Sequence, residues 1–125
     1  MRFMTLAKGP EGAMPPQELM EGIAKLGEEA TKAGVLLETG GLHPSAAGAS
    51  IRVAGGKISV TDGPFTEAKE VIGGYAVYDV KTKEEAVEWA TRFMNLHLEC
   101  WPGWEGETEL RQVFGPDDFG PGGPQ

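Results

Sequence analysis

The stretch that decides the fold is Ile72-Gly73-Gly74-Tyr75-Ala76-Val77-Tyr78-Asp79-Val80. Alternation sends Tyr75 and Val77 to one side of a strand, and Ala76, Tyr78 and Val80 to the other. Both sides are apolar, so the strand belongs to a sheet that is to be covered on both faces. The next residues start a helix. Thr82 and Glu85 stand at capping-box spacing, each satisfying a backbone donor left free at a helix start. Behind them Ala86, Ala90, Phe93 and His97 share one stripe, flanked by Val87 and Met94.

Working outward, Met1 to Lys8 alternates as a strand and is broken by Gly9-Pro10-Glu11-Gly12. Pro15 and Pro16 suit a first helical turn, which needs no donor from proline. Leu19, Ile23, Leu26 and Ala30 then recur at helical spacing, with Glu18, Glu21, Lys25, Glu28 and Lys32 opposite and Gly34 as the stop. Val35 to Leu42 reads as a second strand, closed by Pro44. Ile51 and Val53, the pair Gly55-Gly56, then Ile58 and Val60 predict a hairpin with a tight primed turn. Trp101-Pro102-Gly103-Trp104 lies in the loop after the second helix, as a stacking wall or a seal for a contact. Thr108 to Phe114 reads as the last strand. The order is β-α-β, a hairpin, then β-α-β. The fold class is therefore α+β, a ferredoxin-like βαββαβ arrangement with an inserted hairpin. One domain over residues 1–114 is expected, followed by a Gly/Pro-rich tail, 115–125. Two helices cover one face of a four-stranded sheet. A second copy of the chain is the economical cover for the other, giving a dimeric α+β barrel.

The 125 residues are 40% hydrophobic and 24% charged, with formal charge −8 from eleven Lys and Arg against nineteen Asp and Glu. No three basic residues stand in a row, so direct nucleic-acid binding is not expected. No apolar window is long enough to cross a membrane, the start lacks the pattern of a secretory signal, and Cys100 is alone. A cytoplasmic location is the expectation.

Asp62-Gly63-Pro64-Phe65, between Val60-Thr61 and Thr66-Glu67-Ala68-Lys69-Glu70, resembles the signature of the DGPF branch of the YCII-related family. Gly41-Leu42-His43-Pro44-Ser45, Gly73-Gly74-Tyr75, Lys83-Glu84-Glu85-Ala86 and Glu109-Leu110-Arg111-Gln112-Val113-Phe114 are similar to it too, so that the likeness runs from Met1 to about Phe119. The resemblance implies the same dimeric ferredoxin-like barrel. It also implies, for a few members, rearrangement or dehalogenation of small ring compounds by a His–Asp pair, and for others a functional link to alternative sigma factors. Asp62 matches the acidic position. The better-known branch has its His near the start of the first helix, where this chain has none, so His43 is a candidate on its own chemistry alone.

Asp62 reads either as a general base or as a turn carboxylate. His43, held extended before Pro44, could move a proton if Asp62 held its other nitrogen, or be a solvated loop residue. Phe65 and Tyr75 are expected to line a pocket, and Arg52 and Arg111 to clamp a carboxylate or pair with surface Glu. His97, Glu99 and Cys100 have poor spacing for a metal, and none is expected. Two functions follow. The first is a dimeric small-ligand-binding or regulatory module. The second is a cofactor-independent enzyme performing isomerisation or elimination on a small cyclic substrate through Asp62 and His43.

Overall fold

The computed structural model describes residues 1–64 and 70–118. In chain order these form β1 (Arg2–Gly9), α1 (Gln17–Lys32), β2 (Leu36–Gly41), β3 (Ala49–Ala54), β4 (Lys57–Asp62), β5 (Val71–Asp79), α2 (Lys83–Cys100) and β6 (Glu107–Gln112). Four strands make an antiparallel sheet in the order β2-β5-β1-β6, and β3 and β4 make a separate two-stranded ribbon. This is the βαββαβ fold with its inserted hairpin, as the pattern of strands predicts. The last strand stops at Gln112 rather than Phe114, because its pairing with β1 ends where Phe3 meets Gln112.

Local chemistry sets the helix ends. α1 closes on Gly34, whose φ of +76° suits glycine, with Gly34 N–H donating to the Thr31 carbonyl and Val35 N–H to that of Ala30, both at 3.0 Å. At α2 the Thr82 hydroxyl accepts from Glu85 N–H at 3.2 Å. The Glu85 carboxylate reaches back to Lys81 N–H at 3.0 Å, one residue earlier than a standard capping box places it.

Both helices lie on one face of the sheet. Phe3, Ala76, Tyr78, Val80 and Ala86 form the core there, with Val35, Leu36, Trp89 and Leu110 packed around them. Leu19 and Ala86 are fully buried. Truncating a packed side chain such as Phe3 costs about 3–5 kcal/mol in settings of this kind. Among the described residues, the opposite face carries no helix.

The ribbon stands apart from this core. Gly55 and Gly56, at φ +58° and +75°, make the primed turn that two consecutive glycines signal. Ile51 pairs with Val60 and Val53 with Ile58, so all four share one face. Each is 65–75% exposed. A two-stranded ribbon alone in water is marginal, so this apolar face is a demand for cover.

The candidate ligand-binding face

The pairing register shows what the uncovered sheet face presents. From β1 come Met4, Leu6 and Lys8; beside them on β5 stand Val77 and Tyr75, and on β6 Arg111 and Glu109. Met4 lies between Val77 and Arg111, and Leu6 between Tyr75 and Glu109. The centre is thus apolar and half-buried, and the margins are charged.

On the β6 side one carboxylate serves two cations. Lys8 Nζ lies 2.8 Å from Glu109 Oε2, and Arg111 reaches Glu109 Oε1 at 3.2 Å. The Lys8 and Arg111 hydrogen bonds hold the Glu109 carboxyl below the usual carboxylate range, while Glu109 raises the Lys8 ammonium. Glu107, opposite Lys8 on the same face, adds a second carboxylate, so Lys8 is balanced by its neighbours and Arg111 is the cation of this margin with reach to spare. Arg111 spends one terminal nitrogen on Glu109 and remains 71% exposed, so part of its fork is free to take an anion.

On the β2 side the Tyr75 ring lies across Gly40, where a β-carbon would come within 2.9 Å of Cε1. That seat directs the phenol to Glu38, to which it donates at 2.7 Å. The Glu38 hydrogen bond, with some desolvation, raises the Tyr75 hydroxyl above its ordinary value.

The other residues singled out from sequence do not converge on this geometry. Asp62 ends β4 and pairs with Ala49, on the ribbon face that carries Ile51 and Val60; it is exposed. Arg52 sits on the opposite ribbon face, also exposed. His43 follows β2, which ends at Gly41, and is exposed. Among the described residues, no hydrogen bond or ion pair joins His43 to Asp62. Phe65 lies outside the described residues. Tyr75 and Arg111 are the two candidates that share one surface.

Gly63 of the DGPF motif has a clear structural task. Its N–H donates to the Gly48 carbonyl at 2.9 Å, and a β-carbon there would fall 1.7 Å from the Ser45 carbonyl oxygen. Ser45 is fastened in turn by Glu11, which accepts from its N–H at 2.6 Å and from its hydroxyl at 2.7 Å. Gly63 thus adds a rung beyond the Ala49–Asp62 pair and seats the end of the ribbon against Ser45, while Glu11 separately ties that loop to the segment after β1.

Cys100 is set against nucleophilic use. Desolvation first, then Glu18 and Glu99, raise its thiol and keep it protonated. His97 donates from Nδ1 to the Phe93 carbonyl at 3.0 Å, since a carbonyl can only accept.

A four-stranded antiparallel sheet with two helices on one face, an inserted ribbon and an open, charge-rimmed second face defines an α+β protein of ferredoxin-like type. Residues 1–98 match the family described as YCII-related domain, and the chain belongs to that family. The match ends within α2, so β6, with Glu109 and Arg111, lies beyond it. The chain is also similar to an uncharacterized protein, R00369, of Rhizobium meliloti (strain 1021), at 30% identity over 81 residues. That alignment spans 65% of this chain and 65% of the relative.

Sequence reasoning singled out Tyr75 and Arg111 but not the groups that hold them. Nothing in the spacing joins Glu38 to Tyr75, Lys8 to Glu109 or Glu11 to Ser45, because each pair is set by strand register or loop return. Gly40, two residues from Glu38 and opposite Tyr75, is the one signal that could have marked the phenol's seat.

Proposed function

We propose that the protein is a homodimeric binding module, with two sheets facing each other across a space that holds a small molecule. The carrying observation is the apolar strip of Met4, Leu6, Tyr75 and Val77 between charged margins, with no helix or strand of the described residues over it. A sheet face four strands wide and six residues long has a footprint of about 400 Å². Two such faces alone fall short of the ~1,600 Å² of a standard interface. The four exposed aliphatic residues of the ribbon in each protomer, at roughly 100 Å² a residue, make up the difference when both ribbons join the same contact. The fitting ligand has an apolar body against Leu6 and Val77 and an acidic group at the free part of the Arg111 fork.

The alternative of proton transfer by Asp62 and His43 has no comparable support, since no hydrogen bond or ion pair joins the two side chains within the chain. A regulatory output through protein contacts is compatible with the module. The test is a screen of small carboxylic acids by calorimetry on wild type and Arg111→Ala. Loss of binding in the Arg111 variant, with the variant still a dimer, supports the reading; equal binding by wild type and the Arg111 variant refutes it.

A further inference from the structure

On the other side of the sheet, between α2 and the edge strand β6, runs a cleft of about 580 Å³. Its walls are Ala90, Met94 and Leu98 of α2 and Thr108 and Leu110 of β6, closed at one end by Trp104. The Trp104 indole is wedged. A β-carbon on Gly106 would fall 2.3 Å from its ring, and one on Gly9 would come within 2.9 Å. The ring of His97 lies 4.6 Å from that of Trp104, and Trp101 stacks behind at 5.8 Å. Stacked rings between glycine seats make a stiff wall, so the cleft is formed before any ligand arrives.

His97 lines the cleft although the residue is only 8% exposed. With Nδ1–H committed to Phe93, Nε2 is the ring nitrogen left to accept, and it has no hydrogen-bond partner among the described residues. The Thr108 hydroxyl is turned to the Met94 sulfur at 3.0 Å. Glu105 is the charged residue of the lining, and no cation stands among the lining residues.

We propose that this cleft is a second binding site, within each protomer, for a flat uncharged ring compound carrying one N–H or O–H donor for His97 Nε2. Walls that are apolar apart from Thr91, Asn95 and Thr108, with an aromatic end, favour a planar ring. The absence of a lining cation, together with Glu105, turns away carboxylates and phosphates. The site lies on the helix side of the sheet and does not rest on the pairing of the open faces.

Indole is the probe, with 1-methylindole as its match lacking the donor. Both are titrated into the ¹⁵N-labelled full chain at pH 8 and followed by amide shifts and the Trp104 side-chain N–H. Indole is expected to shift residues around Ala90, Met94, His97, Trp104 and Thr108, and to bind several-fold to about tenfold tighter than 1-methylindole, the worth of one hydrogen bond to an acceptor that opens on the cleft. His97→Phe keeps a ring in the stack and removes the acceptor. It is expected to bind both compounds alike, and unchanged amide shifts in β1 and β5 verify its fold. His97→Gln, which retains an acceptor, provides a second variant should the first fold poorly. Equal affinity of wild type for the two compounds, or shifts confined to residues outside the cleft, would overturn the proposal.

Discussion

Replacing Gly63 by alanine tests the fastening of the ribbon. The new β-carbon would lie 1.7 Å from the Ser45 oxygen, 2.6 Å from its carbonyl carbon and 3.2 Å from Ala46 N. Carbon contacts want roughly 3.5 Å, so backbone must move by well over an ångström. All three neighbours are main-chain atoms, and none can swing aside as a side-chain tip would. Two responses compete. Keeping the contact costs the strain of an overpacked site, about 1–3 kcal/mol. Releasing it loses the bond from Gly63 N–H to Gly48 and loosens the two Glu11 bonds to Ser45; one neutral bond and one charged bond together are worth about 2–4 kcal/mol. The cheaper response sets the result, so a loss of about 2 kcal/mol is expected, near a 5–10 °C fall in Tm. Gly73→Ala is the control, since nothing lies within 4 Å of its β-carbon and its φ is not positive. Urea unfolding of both variants measures the cost, and amide exchange in β3 and β4 detects a ribbon released while the sheet holds. If Gly63→Ala matches the control within 0.5 kcal/mol and exchange there is unchanged, the fastening argument is wrong.

Three further outcomes follow from named contacts. Thr82→Ala removes the acceptor for Glu85 N–H and is expected to cost about 1 kcal/mol in urea unfolding, with Thr82→Ser retaining most of the stability. The Ser45 bonds lower Glu11 below its ordinary value of 4.5, so this latch contributes fully above that pH and is lost as pH falls through the depressed value. The Ser45 amide shift should therefore titrate with a midpoint below 4.5, and Glu11→Gln should abolish that titration; a midpoint at or above 4.5 contradicts the geometry. The Tyr75 hydroxyl, raised first by its bond to Glu38, favours folding below about pH 10, and this contribution fades as pH rises through the shifted value. Glu38→Gln should bring one of the two tyrosine absorbance transitions back towards its ordinary position, while that of Tyr78, raised by burial, stays.

What the sequence made legible is what local rules govern. Gly55-Gly56 between alternating aliphatic pairs specifies a turn whatever surrounds it, and Thr82 with Glu85 specifies a helix start within one residue. The Ile72–Val80 strand revealed two apolar faces, and the structure distributes them as alternation requires, with Ala76, Tyr78 and Val80 under the helices and Tyr75 and Val77 on the open side. Sites are harder, because they join residues far apart in the chain. His43 and Asp62 are apt partners by chemistry, yet one follows β2 and the other ends a separate ribbon. Tyr75 and Arg111 share a face only because β1 runs between their strands. Gly63 was read as part of a signature, and its physical reason, the Ser45 carbonyl behind it, exists only in three dimensions.

The pairing of open sheet faces is most directly tested by sedimentation equilibrium of wild type and Val77→Asp at micromolar concentration. Val77 stands at the centre of the proposed contact and outside the helix-side core, so the variant should keep its secondary structure. The account predicts twice the 13.3 kDa chain mass for wild type and the single-chain mass for the variant. A wild type that sediments as one chain, or a variant that stays paired, contradicts it.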